Sequence, residues 1–235
     1  MNRKIVFSEG EFYHLYSRGV EKREVFLDNN DFRRFIFLLY HCNNTDTVVI
    51  RDIIKKDSLF DFNLSKRNTF VDIGAYCLMT NHFHLLIKEK TNNGISKFMQ
   101  KLLTAYTMYF NKKYKRVGPL FCGKFQAQHA DSDEYLKYLY SYIHLNPLKI
   151  FQVSWKDVGI HDVKKAKVFL DNYKNSSYLD YTGIKRKEGS ILNTTAFPDY
   201  FERGNSFSQM VVDSMEYYNT YHPIPRSDLG KPNEE

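Results

Sequence analysis

The stretch Val71-Asp-Ile-Gly-Ala-Tyr-Cys-Leu-Met-Thr-Asn-His-Phe-His-Leu-Leu-Ile-Lys88 decides the fold. Its first half places apolar residues at every second position, which is typical of a strand with one buried face: Val71, Ile73, Ala75 and Cys77. Thr80-Asn81 then predicts a tight connection, and the second half predicts a return strand. We therefore expect a β-hairpin over residues 69–88.

The return strand separates two sets of side chains, because successive strand residues point to opposite faces of a sheet. Phe83, Leu85 and Ile87 are predicted to face a layer of helices. His82 and His84 belong to the other set and are predicted to lie together on an open face of the sheet. That face would be available to a ligand.

The segments around the hairpin predict strands and helices in a simple order. They are a strand over 11–17, a helix capped by Asn29 or Asn30, an amphipathic helix over 95–110, a strand over 124–129, and a helix over 132–145 capped by Asp131 with Glu134 and ended by Pro147. The charged stretch around 51–68 is left as an elaborated connection. This order predicts an α+β two-layer sandwich with an antiparallel sheet.

The length of 235 residues fits one catalytic domain over 1–150 and an accessory C-terminal region over 151–235, mostly helical or irregular. The net charge of +7 is modest, but residues 90–130 contain no acidic residue. A polyanionic partner is one interpretation of this basic window, and a solvated helix face is the other. Three cysteines without a pairing motif favour a reducing compartment, and the N-terminus lacks a signal peptide's apolar core. We expect a cytoplasmic protein that makes no use of a membrane.

His82 and His84 are the H-x-H pair of the sequence and project from the same face of a strand. Two neutral imidazoles suit a catalytic ion such as Mg²⁺ or Mn²⁺ whose shell is completed by oxygen ligands. Ordinary hydrogen-bonded sheet histidines are the alternative. A structural zinc site with Cys77 is a weaker alternative, because it needs four nitrogen or sulfur ligands.

Tyr142 and Asn146 are four residues apart and therefore neighbours on one face of a helix near its C-terminus. A phenol beside a carbonyl ligand would be well placed to serve a metal site. With 18 tyrosines in the chain, packing is the ordinary interpretation of any one of them. The spacing alone leaves both open.

Four stretches together resemble the single-tyrosine HUH transposases, and most of all their REP-associated tyrosine transposase branch. In chain order they are Tyr13-His-Leu-Tyr-Ser-Arg-Gly19, Met79-Thr-Asn-His-Phe-His-Leu-Leu86, Gly118-Pro-Leu-Phe121 with Lys124-Phe125, and Tyr142-Ile-His-Leu-Asn-Pro147. The resemblance covers about residues 8–150. It implies a ferredoxin-like α+β sandwich of the HUH endonuclease type.

The resemblance also implies the chemistry. Tyr142 would be the nucleophile that nicks single-stranded DNA and forms a 5′-phosphotyrosine link, and His82, His84 and Asn146 would bind Mg²⁺ or Mn²⁺. A DNA hairpin would be the usual partner, with these candidate phosphate contacts: Arg18, Lys22, Arg23, Lys97, Lys101, Arg116 and Lys124. We expect a monomer, with a homodimer as the alternative.

Two other functions fit the same residues. The first is a metal-dependent phosphodiesterase that activates water, in which Tyr142 is structural. The second is a non-catalytic module that binds single-stranded nucleic acid on an aromatic sheet face with a basic rim. A covalent protein–DNA intermediate would separate the transposase from both.

Overall fold

The structure is a computed structural model that describes residues 5–46, 68–201 and 205–221. The elaborated connection expected around 51–68 lies, apart from Asn68, outside the described residues.

The described residues form a four-stranded antiparallel sheet in the order β2-β3-β1-β4. The strands are β1 (Phe12–Arg18), β2 (Val71–Met79), β3 (His82–Glu89) and β4 (Gln126–His129). Helix α1 (Asn29–His41) connects β1 to β2, and helix α2 (Gly94–Lys113) connects β3 to β4. This is the strand order and connectivity of a ferredoxin-like sandwich, so the predicted fold class is confirmed.

The N-cap of helix α1 lies one residue before the first of the two predicted caps. Asp28, rather than Asn29 or Asn30, is the N-cap, and its carboxylate accepts hydrogen bonds from the backbone N–H groups of Asn30 and Asp31. Asp31 completes a capping box by accepting from the N–H of Asp28. The predicted cap was wrong because two asparagines and two aspartates compete at this helix start.

Helix α3 (Asp133–Leu145) has Ser132 as its N-cap, not Asp131. The Ser132 hydroxyl accepts from the N–H of Tyr135 at 3.2 Å. The predicted capping box between Asp131 and Glu134 was therefore wrong by one residue, because serine is as good a cap as aspartate. The end of the helix before Pro147 is as predicted.

Helices α1 and α2 cover one face of the sheet. Phe83, Leu85 and Ile87 of β3 are fully buried there, with the apolar side of α2, as the strand alternation predicts. We call this first apolar cluster the α1–α2 core.

The predicted alternation of Val71, Ile73, Ala75 and Cys77 on one face of strand β2 is interrupted partway along the strand. Its pairing with β3 shifts between Ile73 and Ala75, so Val71 and Ile73 lie in the α1–α2 core whereas Ala75 and Cys77 lie on the opposite face. A β-bulge at Gly74 adds one residue and reverses the alternation. Glycine is needed because a Cβ at this position would come within 2.7 Å of the Phe197 ring.

The second face of the sheet is covered as well, so the expectation of an open face was wrong. Helix α3 packs on β2 and β3, and the chain after it adds short helices and one long one: α4 (Leu148–Phe151), α5 (Trp155–Val158), α6 (Val163–Asp171), α7 (Tyr178–Tyr181) and α8 (Asn205–Tyr221). The described residues after 150 are thus mostly helical, as expected for the C-terminal region.

The helices on this face build a second apolar cluster around α3, which we call the α3–α8 core. It includes Leu86 of β3 together with Trp155 and Phe207, all of them buried. The physical reason for the covering is that Ala75, Cys77 and Leu86 are apolar and favour burial over exposure. Residues on both sides of the expected domain boundary at 150 contribute to this core. Among the described residues, no helix is long and apolar enough to cross a bilayer.

His144 connects helix α3 to the C-terminal part of the chain through a hydrogen bond. Its Nδ1–H donates to the carbonyl of Tyr140 at 2.8 Å, and its Nε2 accepts from the hydroxyl of Ser177 at 2.7 Å. Ser177 Oγ in turn accepts from the N–H of Tyr76 in β2. Burial lowers the pKa of His144 from 6.5 to about 4, so the imidazole is neutral in the folded protein at neutral pH.

We predict that His144 makes the stability of the folded protein sensitive to acid. Because the pKa of His144 is lower in the folded than in the unfolded state, its contribution to stability is present above about pH 6.5 and is lost as the pH falls toward about 4. We expect His144→Gln to cost about 1–3 kcal/mol in urea unfolding at pH 7.5. The cost should shrink at pH 4.5, where wild type has already lost this contribution.

The matched control is the exposed His161, and His161→Gln should leave unfolding unchanged at both pH values. A cost for His144→Gln that is the same at pH 7.5 and pH 4.5 would contradict this role for His144.

Candidate active site

His82 and His84 lie on the same face of the sheet, with ring centroids 5.0 Å apart. His84 is 5 % exposed, whereas His82, at the start of β3, is partly exposed. The pair is therefore reached from the hairpin end of the strand, beside the turn at Thr80-Asn81.

His14 of β1 completes a row of three histidines, and it was not among the predicted site residues. The β1–β3 register pairs His14 with Leu86 and Tyr16 with His84, which places His14 diagonally across from His84. The Nε2 of His14 and the Nδ1 of His84 are 2.9 Å apart. The available signal was strand periodicity: once β1 and β3 are paired, His14 has to share the face of the H-x-H pair.

The contacts of Asn81 fix the tautomer of His82. The amide nitrogen of Asn81 donates to the carbonyl of Lys22 at 3.3 Å, so its amide oxygen is the atom 2.6 Å from Nδ1 of His82. Nδ1 must therefore carry the hydrogen, and Nε2 keeps a free lone pair. An outer hydrogen bond of this kind is what orients a metal-binding imidazole.

The hydrogen bond between His14 and His84 admits two tautomers. If His84 Nδ1–H donates to His14 Nε2, the Nε2 of His84 keeps its lone pair. If His14 donates instead, Nε2 of His84 carries the hydrogen and has no lone pair for a ligand. Binding of a cation by His84 therefore requires His14 to act as the acceptor.

Tyr142 of helix α3 lies over this row of histidines. Its ring centroid is 5.6 Å from that of His14 and 5.6 Å from that of His84, and both contacts are edge-to-face. Tyr142 is only partly buried, whereas Tyr140 on the same helix is 2 % exposed. Burial raises the pKa of Tyr135, Tyr138 and Tyr140 above the usual value, which makes these three phenols poor nucleophiles.

Lys156 of helix α5 was also missed by the sequence analysis. Its Nζ lies 4.4 Å from the centre of the Tyr142 ring, a cation–π distance. It follows the Tyr142-Ile-His-Leu-Asn-Pro147 stretch by nine residues, in a helix of only four residues, which is too short for a periodic pattern to have pointed to it.

The electrostatics of the site favour an anion. Burial, followed by the charge of Lys156, lowers the pKa of His14 to about 3. Burial, followed by the charges of Arg18, Lys149 and Lys156, lowers the pKa of His82 to about 3. The pKa of His84 is also lowered, and burial is the largest cause. The histidines are thus neutral at neutral pH, and the lysines and arginine around them would attract a phosphate.

Asn146 follows Tyr142 by one turn and is buried. Its amide nitrogen donates to the carbonyl of Tyr142 at 2.7 Å, which leaves the amide oxygen as the atom able to bind a cation. In the described part of the chain, no group of three or more His, Cys, Asp and Glu side chains could hold a metal ion. A cation at His82 and His84 would therefore need oxygen ligands, and an amide oxygen such as that of Asn146 is a ligand of the required kind.

The structure divides the predicted phosphate contacts between two regions. Arg18 ends β1 opposite His82, and the loop carrying Lys22 and Arg23 is bonded to Asn81. The loop with Arg116 and Lys124 joins the same end of β1, since the N–H of Cys122 donates to the carbonyl of Arg18.

Lys97 and Lys101 lie elsewhere, on helix α2 over the other face of the sheet. Lys101 donates to the carbonyl of Asn44 at 2.7 Å, and its Nζ lies 5.0 Å from the centre of the Phe70 ring. Because Phe70 comes directly before β2, Lys101 lies near the start of that strand, and Met79 lies at its other end. The acid-free window of the sequence therefore does not form one continuous surface beside the histidines.

Comparison with known families matches residues 41–146 to the model described as Transposase IS200 like. The match spans just under half of the chain and includes His82, His84, Tyr142 and Asn146. It confirms the similarity to this class of transposase that the four stretches predicted, and it supports DNA processing of the transposition type. His14 and Lys156 lie outside the matched residues.

Among solved structures, the chain is similar to one described as the REP associates tyrosine transposase bound to a REP hairpin. The identity is 12 % and the TM-score 0.47, over 86 % of this chain and 99 % of that chain. A comparison with curated protein sequences gives no match.

Proposed function

We propose that this chain nicks single-stranded DNA with Tyr142 as the nucleophile and rejoins the strand through a 5′-phosphotyrosine intermediate. The observation that carries the proposal is the contact of the Tyr142 ring with both His14 and His84 in a site surrounded by cationic side chains. The family match supports the same class of reaction.

The proposed step is an exchange of one phosphodiester for another. The Tyr142 oxygen attacks the scissile phosphorus, the bond from phosphorus to the 3′ oxygen breaks, and the DNA 5′ end becomes joined to the tyrosine. The phenol loses its proton to solvent, and the departing 3′ oxygen gains one. Because the new ester keeps the energy of the old one, a 3′-OH can attack it later and restore the strand without ATP.

The residues of this chain position the phosphate. Lys156, beside the Tyr142 ring, and Arg18, opposite His82, would contact the phosphate oxygens as charge-assisted donors. His82, His84 and Asn146 would hold Mg²⁺ or Mn²⁺, which when bound supplies Lewis-acid polarisation of the phosphate. His14 would keep His84 in the tautomer that leaves its Nε2 free.

The first prediction concerns the covalent intermediate. Wild type incubated with Mn²⁺ and a library of single-stranded DNA hairpins should give a protein–DNA adduct that survives denaturation, whereas Tyr142→Phe should give none. The variant should still bind the DNA, because it lacks only the phenolic oxygen. Denaturing gels and mass spectrometry of the modified peptide measure both points.

The matched control is Tyr138→Phe, one turn earlier on the same helix, whose hydroxyl lies 3.3 Å from that of Tyr218. This variant should form the adduct as wild type does. An adduct on Tyr142→Phe would show a different nucleophile, and cleavage without any adduct would favour activation of water.

The second prediction concerns the cation and is measured without DNA. Titration of the free protein with Mn²⁺ should show weaker binding by His82→Ala and His84→Ala, because each substitution removes one imidazole ligand. His14→Ala should weaken Mn²⁺ binding by about 10- to 100-fold, the usual effect of losing a residue that orients a ligand.

The control for the cation is His161→Ala, which replaces an exposed histidine and should bind Mn²⁺ as wild type does. If His14→Ala also bound Mn²⁺ like wild type, His14 would have no part in orienting His84.

The third prediction identifies the surface that contacts DNA. Arg18→Ala combined with Lys149→Ala should lower the slope of log affinity against log salt by roughly 1–2, because each lost phosphate contact lowers it by about 0.7–0.9. Lys97→Ala combined with Lys101→Ala removes the same charge from helix α2 and should lower the slope less. Equal slopes for the two double variants would place the DNA across both regions.

A further inference from the structure

A cleft beside Tyr142 lies between helices α3 and α8 and has a volume of about 600 Å³. Tyr138, Ser141 and Tyr142 of α3 form one wall, and Met210, Tyr217 and Tyr218 of α8 form the other. Tyr142 is thus shared between the row of histidines and this cleft. Helix α8 belongs to the C-terminal region, whose role the sequence left open.

Four hydroxyl groups of the cleft pair across the two helices, while Lys137 and Asp213 are charged members of its lining. Ser214 and Ser141 hydroxyls lie 2.9 Å apart, and Ser214 donates to the carbonyl of Met210. The hydroxyls of Tyr138 and Tyr218 lie 3.3 Å apart. With these groups satisfied internally, the surface left for a ligand consists mainly of aromatic faces and apolar edges.

Tyr217 extends this aromatic surface to solvent, since it is 46 % exposed, whereas Phe207, Val211 and Met215 of the same helix are buried. At the rim, the amide of Gln209 donates to the carboxylate of Asp213 at 2.8 Å. Such a pair offers both a donor and an acceptor to the edge of a flat ligand. A flat, uncharged, aromatic ligand with polar edges suits this cleft better than a phosphate does.

We propose that the cleft receives the base of the nucleotide whose 5′ phosphate Tyr142 attacks. The inference rests on the proposed function. Once Tyr142 holds that phosphate, the attached nucleoside must lie within a few ångströms of the tyrosine ring, and the aromatic cleft begins at that ring. Stacking of a base on tyrosine faces is tolerant of sequence and stabilises single-stranded binding.

The test is a photochemical cross-linking experiment with a variant that lacks the Tyr142 hydroxyl and therefore cannot form the covalent adduct. Tyr142→Phe is mixed with an oligothymidylate of about 12 nucleotides that carries one 5-iodouracil, and the complex is irradiated. Mass spectrometry should find the modified base on Tyr217 or Tyr218 of α8, or on Tyr138 of α3. Cross-links only in the loops at 19–23 and 116–124, with the cleft unmodified, would overturn the proposal.

A binding measurement completes the test. Tyr217→Ala should weaken binding of the oligothymidylate by roughly five- to hundredfold through loss of a stacked base. Glu216→Ala, the exposed neighbour on α8, should bind as wild type does. Unchanged binding by Tyr217→Ala would count against the base site. Dissociation of a wild-type dimer by Tyr217→Ala would assign the cleft to a second copy of the chain and overturn the proposal.

The outcome is separable from that of the proposed function, because wild type is assayed for the Tyr142 adduct in parallel. An adduct without cross-links in the cleft would contradict the proposed base site but not the proposed strand transfer. Cleft cross-links without any adduct support a base site and remove the strand transfer.

Discussion

The register of β1 against β3 is the constraint on which the candidate site depends. It pairs Tyr16 with His84 and Arg18 with His82, so every even-numbered residue of both strands shares one face. A slip of one residue in β3 would turn His82 and His84 into the α1–α2 core and Phe83 and Leu85 out of it. The apolar character of Phe83, Leu85 and Ile87 therefore fixes where the imidazoles point.

Covering that face changes the chemistry of the histidines. Helix α3 buries His84 and brings Tyr142 against it, and the same burial keeps the imidazoles neutral. An open face would have left the rings near their usual pKa and in exchange with water. The C-terminal helices thus contribute to the site in two ways, because they hold α3 on the sheet through the α3–α8 core and because α5 places Lys156 beside the Tyr142 ring.

Much of the framework could be predicted from the sequence, because it depends on local periodicity. The hairpin, the two long helices and the face shared by His82 and His84 follow from patterns of two and of 3.6 residues. Tyr142 could be selected among 18 tyrosines only through the resemblance of the surrounding stretch, since its spacing from Asn146 is common in helices.

What could not be predicted depends on tertiary packing. The bulge at Gly74 follows from the approach of the Phe197 ring, more than 100 residues away in sequence. The position of His14 depends on the pairing of β1 with β3, and that of Lys156 depends on how the short helices after α3 fold back toward Tyr142. Conversely, the run of lysines without acidic residues is continuous in sequence only, because Lys97 and Lys101 lie on helix α2 whereas Lys124 belongs to the loop that is hydrogen-bonded to the end of β1.

The turn at Thr80-Asn81 is held on its outer side by the segment after β1. The carbonyl of Thr80 accepts from the N–H groups of Val25 and Phe26, and the carbonyl of Asn81 accepts from that of Gly19. Hairpin tips are ordinarily among the first places where a domain opens, and their amide hydrogens exchange quickly with solvent. Here the tip can open only if its hydrogen bonds to the 19–26 segment break as well, so we expect slow amide exchange at the strand end that carries His82 and little local opening of the site.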